Sequence, residues 1–325
     1  MASLGEWRIA PTRQPKPEDY GYDLTAALAA LVGIRTVAPD DAFTAETLGT
    51  ERAGSGVVIR DGVVLTIGYL ITEAEEIWIG LGDGRTLPGH ALAYDQVTGF
   101  GLVQALGSLD LRPLPLGRSG AASVGTPVVI GGAGGRKHSV ASFIVGKQEF
   151  AGYWEYVLDE AIFVAPAHPF WGGTGLIGPQ GDLLGIGSLQ VEQRSESGEG
   201  ASLNMIVPVD LLHPILDDLL TTGRANRPPR PWLGLFSTEM EDKVFVVGLS
   251  PGAPAQRADV RAGDMIVSVA GQPVSSLAGF FRRIWALGPA GVEVPLTIYR
   301  DNRSFEVRVT SGDREQFLKA PRMHS

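Results

Sequence analysis

The chain contains no cysteine among its 325 residues. It therefore cannot form a disulfide, a thiolate zinc site or a cysteine nucleophile. Histidine is also scarce: the five histidines are scattered and show none of the paired spacings typical of metal sites, so we expect no metal and no cofactor. No apolar run reaches the roughly 18 residues that a membrane-spanning helix requires, so we expect no membrane association.

Positive charge is sparse as well. Charged residues make up 19% of the chain, the formal net charge is −9, and the isoelectric point is about 5.1. An acidic chain without a dense lysine or arginine cluster argues against nucleic acid or an anionic membrane as a partner. The hydrophobic fraction of 44% is ordinary for globular proteins, and the length suits two or three domains.

The most apolar early segment covers residues 24–34 and follows a stretch that contains proline and acidic residues. Those features are not typical of a secretory signal. We interpret the segment as a helix capped by Asp23, with Leu24, Leu28 and Leu31 along one stripe. On this interpretation we expect a cytoplasmic protein.

Short runs of valine, isoleucine and leucine alternate with glycine turns over residues 50–213, a pattern that predicts an all-β domain. A helical pattern follows and ends at Gly223, and a linker rich in proline and arginine comes next. We predict five parts: an N-terminal extension with a short helix at 1–49, a first domain at 50–223, a linker at 224–231, a second domain at 232–313, and a tail at 314–325.

Several motifs agree in order and spacing with those of a known family. They are Gly-Ser-Gly-Val-Val-Ile at 54–59, Leu-Thr-Ile-Gly-Tyr-Leu-Ile at 65–71, Trp-Gly-Gly-Thr-Gly-Leu-Ile at 171–177 and Pro-Trp-Leu-Gly-Leu at 231–235. Together they resemble the high-temperature-requirement A (HtrA, or DegP-like) serine proteases. The resemblance implies a mainly β fold, with a chymotrypsin-like double β-barrel followed by a PDZ domain.

The same resemblance places different residues where the family has its catalytic triad. Tyr69 stands at the position of the histidine, Gly99 at that of the aspartate, and Gly172 at that of the serine. A triad needs a hydroxyl to attack, an imidazole to take its proton and a carboxylate to orient the imidazole. We therefore predict a pseudoprotease, not an enzyme, that acts as a protein-binding scaffold, a chaperone-like holder or a stabilising subunit.

The alternative is an active HtrA-like endopeptidase with a relocated catalytic group. Thr174 is the hydroxyl nearest in sequence to the vacated serine position, but a β-branched residue there is typical of a strand or turn. His168 is the nearest histidine, and its position before a proline is typical of an exposed loop. Three losses at matched positions favour the binding protein over this alternative.

The PDZ resemblance implies a peptide-binding site. In such domains the backbone N–H groups of a loop hold the carboxylate of a peptide's C-terminus, and the following strand pairs with the peptide. The candidate peptide-binding residues are Trp232, Leu233, Gly234, Leu235, Phe236 and Phe281. The predicted partners are protein or peptide C-termini.

A dedicated partner subunit is a second kind of partner, and it would dock at Phe170 and Trp171, because aromatic residues are favoured anchors at interfaces. The sequence leaves homo-oligomerisation open.

Overall fold

The computed structural model describes residues 7–194 and 200–320. Six antiparallel strands close into a first barrel in the order β1-β2-β3-β6-β5-β4. They are β1 Leu31–Val37, β2 Glu51–Arg60, β3 Val63–Ile67, β4 Glu76–Gly80, β5 Thr86–Tyr94 and β6 Phe100–Ala105. Val57, Leu65 and Leu102 are among the fully buried residues of these strands.

A second closed barrel follows, with the order β10-β11-β12-β9-β8-β7. Its strands are β7 Pro127–Gly131, β8 Ser139–Gly152, β9 Tyr156–Ala165, β10 Gly175–Ile177, β11 Leu183–Arg194 and β12 Gly200–Pro208. Ile130, Ile162 and Leu176 belong to its buried core. The two closed barrels confirm the predicted double-barrel architecture.

Three short helices accompany the barrels: α1 Leu24–Ala29, α2 Ala45–Leu48 and α3 Leu216–Thr222. The Asp23 carboxylate caps α1 by accepting from the Ala26 N–H at 3.0 Å. The helix ends earlier than predicted, and Leu31 already belongs to β1. The prediction of one helix through 24–34 is wrong at its C-terminal end, because valine and isoleucine there favour an extended strand that pairs with β2 and β4.

The chain divides into two compact units. The first extends to Gln148 and from Glu160 to Ala225, and the second combines Glu149–Asp159 with Asn226–Lys319. The predicted first domain, 50–223, includes all of 149–159. The structure instead groups this end of the β8–β9 hairpin with the C-terminal domain.

In the second unit a six-stranded antiparallel sheet has the order β13-β14-β15-β17-β18, and β16 pairs with β15. The strands are β13 Leu235–Met240, β14 Lys243–Leu249, β15 Met265–Val269, β16 Gln272–Pro273, β17 Glu293–Arg300 and β18 Arg303–Thr310. Two helices complete the unit, α4 Pro254–Arg257 and α5 Leu277–Ala286. Ser276 caps α5 by accepting from the Gly279 N–H at 3.1 Å.

Candidate functional site

Tyr69 lies in the first unit on a 3-10 turn, Gly68–Leu70, that follows β3. Its hydroxyl donates a hydrogen bond to the carbonyl of Ser188 at 2.9 Å. Arg52 holds the turn by donating to the Tyr69 carbonyl, also at 2.9 Å. Burial raises the pKa of the Tyr69 hydroxyl above its ordinary value. At neutral pH the hydroxyl therefore keeps its proton, and Tyr69 is unsuited to act as a general base.

Gly172 faces the hydroxyl of Tyr69. A Cβ atom built on Gly172 would lie 2.8 Å from Tyr69 Oη, closer than side-chain carbons normally approach. The Gly172 carbonyl accepts a hydrogen bond from the Ser55 N–H at 2.8 Å, which fixes its backbone. The structure thus brings together two of the residues that the sequence placed at triad positions. The tyrosine hydroxyl occupies the space that a larger residue at position 172 would need.

Gly99 contacts the same turn through its backbone. Its carbonyl accepts from the Gly68 N–H at 2.7 Å, and its φ of +84° lies in the left-handed region. An aspartate at this position would be strained, since residues with a Cβ disfavour that region. The nearby Asp95 carboxylate instead closes its own turn, accepting from the N–H and hydroxyl of Thr98 at 2.9 and 2.6 Å.

Thr174 and His168 are the hydroxyl and the imidazole nearest to Gly172 in sequence, and both are buried. The Thr174 hydroxyl donates to the Trp171 carbonyl at 2.8 Å. His168 Nδ1 accepts from the Phe170 N–H at 3.1 Å, so its proton is assigned to Nε2, which donates to the His138 carbonyl at 2.9 Å. Both ring nitrogens are therefore used inside the barrel.

The prediction that His168 is an exposed loop residue is wrong. The backbone N–H of His168 donates to Asn204 Oδ1 at 2.6 Å, and burial lowers the pKa of the imidazole. A neutral imidazole with two internal partners supports the loop before Gly172 and does not activate a nucleophile.

Phe170 and Trp171 differ in exposure. The Phe170 side chain is 55% exposed, and its ring centroid lies 4.5 Å from that of Trp7. Trp171 is partly buried. An exposed phenylalanine is compatible with docking, which stays a prediction for this pair.

We expect Gly172→Ser to lower the free energy of unfolding by about 1–2 kcal/mol, since the new side chain must displace the Tyr69 hydroxyl. Urea denaturation of the full chain measures the effect. The same substitution should be less destabilising in a Tyr69→Phe background, where the hydroxyl is absent. An unchanged loss in that background would show that this contact is not the cause.

In the second unit, the predicted carboxylate-binding loop holds a carboxylate. Both oxygens of Glu155 accept from the Leu233 N–H at 3.1 to 3.2 Å. Its Oε1 also accepts from Gly234 at 2.7 Å and from Leu235 at 2.9 Å. Trp232, by contrast, pairs through its backbone with Gly312 at 3.0 Å. Three of the predicted N–H groups therefore converge on one carboxylate.

Gly234 makes this loop geometry accessible. Its φ is +77°, and a Cβ there would lie 2.2 Å from the Cβ of Ala253. Glycine is therefore required both for the backbone conformation and for the close approach to the neighbouring segment.

The aromatic residues proposed for the peptide site lie at different depths. Phe236 is partly buried, and its ring centroid is 5.9 Å from that of Tyr153. Phe281 is completely buried in the hydrophobic cluster that contains Leu235 and Val157. Phe281 is therefore a core residue and does not present an exposed ring to a peptide.

Sequence reasoning missed Glu155 entirely. The contact joins residues 78 to 80 positions apart, and a single glutamate within a hairpin carries no motif.

Within residues 7–194 and 200–320, no group of three histidine, aspartate or glutamate side chains is placed to hold a metal ion. Among the helices of those same ranges, none has the length and apolar character needed to cross a membrane.

Two family models match the chain. A trypsin-like peptidase domain matches residues 54–186, and a PDZ domain matches residues 231–310. These matches agree with the barrels and with the C-terminal sheet.

Curated relatives extend the likeness over most of the chain. A probable periplasmic serine endoprotease, DegP-like, from Halomonas elongata is 30% identical over 280 residues, covering 80% of this chain and 56% of that protein. The periplasmic pH-dependent serine endoprotease DegQ of Escherichia coli is 28% identical over 276 residues, covering 80% of this chain and 59% of that protein. The chain spans little more than half the length of these relatives.

Solved structures show the same fold. The HtrA-type protease AlgW with a decapeptide has a TM-score of 0.54 at 19% identity, covering 92% of this chain and 98% of that one. The same protease with a tripeptide has a TM-score of 0.51 at 18% identity, covering 92% of this chain and 97% of that one.

These comparisons correct two predictions. The relatives are named as serine endoproteases, which contradicts our prediction of a non-catalytic scaffold that is not an enzyme and favours the endopeptidase alternative. The relatives are also named as periplasmic, which contradicts the predicted cytoplasmic location. The chain is an HtrA/DegP-like protein, with a trypsin-like peptidase domain followed by a PDZ domain.

Proposed function

We propose that this chain acts on polypeptides as an HtrA-type endopeptidase, outside the cytoplasm in the periplasm or as a secreted protein. The observation that carries this proposal is the 30% identity over 280 residues to a protein named as a probable periplasmic serine endoprotease. The double barrel supports the proposal, because chymotrypsin-type barrels are a scaffold for peptide-bond hydrolysis.

The proposed catalytic group is relocated. The proposed equivalents of the triad supply no nucleophile and no base whose pKa lies near neutral pH. They are Tyr69, Gly99 and Gly172. Thr174 is a poor replacement, because its hydroxyl is buried and already donates to the Trp171 carbonyl. Loss of a serine or histidine from a protease triad lowers kcat by roughly 10⁶-fold. We therefore expect hydrolysis to be slow.

The PDZ domain is proposed to bind free C-termini of polypeptides. The N–H groups of Leu233, Gly234 and Leu235 converge on one point, which suits a terminal carboxylate. Strand β13 would pair with the peptide backbone. A dedicated partner subunit, if the chain has one, would use the exposed Phe170 as its anchor, with Trp171 beside it.

Incubation of the full chain with unfolded β-casein tests the endopeptidase proposal. We expect new internal termini by mass spectrometry, at a rate proportional to the concentration of the chain across chromatographic fractions. A contaminating protease would not follow the chain through those fractions. Intact casein after prolonged incubation, with peptide binding retained, would overturn the endopeptidase proposal. Thr174→Val removes one candidate hydroxyl with little change of shape, and we expect it to leave the rate unchanged.

A restored pair tests the assignment of the positions. In Tyr69→His/Gly172→Ser the shorter histidine vacates the space that the serine needs. A positioned general base contributes roughly 10²- to 10⁴-fold to rate, so we expect at least a 10²-fold gain over the unmodified chain. No gain in a folded double variant would show that these positions do not correspond to the family's base and nucleophile.

A further inference from the structure

Glu155 is a carboxylate buried where a peptide's terminal carboxylate would bind. Its side chain is enclosed in the second unit, with a residue exposure of 6%. Its two oxygens accept hydrogen bonds from three consecutive backbone N–H groups, those of Leu233, Gly234 and Leu235, at 2.7 to 3.2 Å. Its φ of +61° is unfavourable for a non-glycine residue and persists only where surrounding contacts fix it. The loop and the glutamate therefore define each other's geometry.

The backbone beside Glu155 also contacts the groove. The Tyr153 carbonyl accepts from the Ser237 N–H on β13 at 2.9 Å, a contact of the kind a bound peptide makes when it adds a strand to a sheet edge. The Tyr153 ring lies 5.9 Å from the Phe236 ring. Carboxylate and backbone contacts thus occur together, as they do for a peptide ligand.

Apolar and charged contacts continue along residues 149–159 on both sides of Glu155. Val157 is buried in the same hydrophobic cluster as Leu233 and Phe281. At the two ends of the segment, Glu149 and Asp159 each pair with Arg282 on α5. The segment 149–159 therefore covers the groove between β13 and α5 along its length.

We propose that the segment Glu149–Asp159 is an internal ligand of the PDZ domain, with the Glu155 carboxylate in the place of a peptide's C-terminal carboxylate. A free C-terminus then binds only when it displaces this segment. The proposal rests on the peptide-binding function proposed above and deepens it. The competing ligand is a polypeptide with a free carboxylate and an apolar last residue, because Val157, two residues beyond Glu155, is buried in the hydrophobic cluster that contains Leu233.

Displacement has a physical consequence for the hairpin. Residues 149–159 form the end of the β8–β9 hairpin, so peptide binding is linked to release of that hairpin. An intramolecular competitor lowers the apparent affinity of a peptide by the fraction of molecules whose groove is open. If one molecule in ten to one hundred is open, removing the competitor raises affinity roughly tenfold to one-hundredfold.

The test compares peptide binding by full-length variants. The probe is a fluorescein-labelled decapeptide ending in Ala-Ala-Val with a free carboxylate, followed by anisotropy, and its amidated twin is the ligand control. We expect Glu155→Ala to bind the free-carboxylate probe at least about tenfold more tightly than the unmodified chain. Glu241→Ala is the matched control, because Glu241 also has a positive φ, of +50°, but is exposed in the β13–β14 turn. It should bind as the unmodified chain does.

A second variant distinguishes release of the segment from local unfolding of the loop. Arg282→Ala removes the two ion pairs that hold the segment's ends and leaves the three N–H donors in place. We expect a smaller gain in affinity, roughly twofold to fivefold, with an unchanged circular dichroism spectrum.

Each outcome is decisive. Equal affinity of the unmodified chain and both variants would overturn the internal-ligand proposal while leaving peptide binding intact. Absence of binding to every variant would overturn the peptide-binding function and this proposal with it. Equal binding of the amidated twin would show that the loop does not select a carboxylate and would overturn the role given to Glu155.

Discussion

Gly173→Ala is expected to lower the free energy of unfolding by about 4 kcal/mol, because alanine brings both backbone strain and steric overlap at this position. A Cβ at this position would lie 1.8 Å from the carbonyl oxygen of Ser55 and 2.6 Å from Thr66 Oγ1. The φ of Gly173 is +76°, which adds roughly 1–2 kcal/mol of backbone strain for alanine. Relief of the overlap requires the backbone to shift, at a cost of about 1–3 kcal/mol.

Two glycines of the first barrel, between β4 and β5, separate these contributions. Gly84 has a φ of +89° and open space where its Cβ would be, so Gly84→Ala should show backbone strain alone, about 1–2 kcal/mol. Gly82 also has open space and no positive φ, so Gly82→Ala should change stability by less than about 1 kcal/mol. Urea denaturation of all three variants is the measurement. A loss for Gly173→Ala no larger than that for Gly84→Ala would contradict the close packing around position 173.

Peptide affinity of the full chain is expected to rise with pH between about 5 and 8. Burial raises the pKa of Glu155 from its ordinary value of 4.5 to about 7. The three N–H donors and the positive charge of Arg314 act in the opposite direction and limit the rise. The Glu155 carboxyl therefore binds a proton more tightly when the segment 149–159 is docked than when the segment is released.

This difference in proton affinity sets the direction in which docking of the segment changes with pH. Docking of the segment is strongest below pH 4.5, where the carboxyl is protonated in both states, and weakens as the pH rises through about 7. One pKa unit corresponds to about 1.4 kcal/mol, so the loss over the whole window is about 3 kcal/mol. A free peptide carboxylate stays ionised above pH 5 and contributes little of the change. The weaker the docking, the more accessible the groove.

Anisotropy titrations with the Ala-Ala-Val probe at several pH values measure this effect. We expect affinity to increase at least tenfold from pH 5 to pH 8 in the unmodified chain. Glu155→Gln keeps the shape of the side chain but cannot titrate, so its affinity should be nearly independent of pH. A decrease of affinity with rising pH, or the same slope in Glu155→Gln, would show that this carboxyl does not control the groove.

Much of the fold could be predicted from the sequence. Runs of β-branched residues between glycine turns predicted an all-β domain, and the resemblance to HtrA proteases implied the two barrels and a carboxylate-binding loop at Leu233-Gly234-Leu235. The same local reasoning failed for 24–34, where pairing with β2 and β4 converts the end of a predicted helix into a strand. Tertiary pairing outweighed helical periodicity there.

The site was less predictable, because its contacts join distant parts of the chain. Tyr69 and Gly172 were identified separately, but only the structure shows that the tyrosine hydroxyl fills the space beside the glycine. His168 was expected in an exposed loop, yet two hydrogen bonds with the Asn204 side chain and one with the His138 carbonyl hold it inside the barrel. The inference from missing triad residues to a non-catalytic function is contradicted by relatives that are named as serine endoproteases.

The most direct test of the occupied groove is hydrogen exchange at the amides of Leu233, Gly234 and Leu235 in the full chain without peptide. These N–H groups donate to Glu155, so we expect slow exchange in the unmodified chain, much faster exchange in Glu155→Ala, and renewed protection when the free-carboxylate probe is added. Equally fast exchange in the unmodified chain and in Glu155→Ala would contradict the account, because the loop would then be open without a ligand.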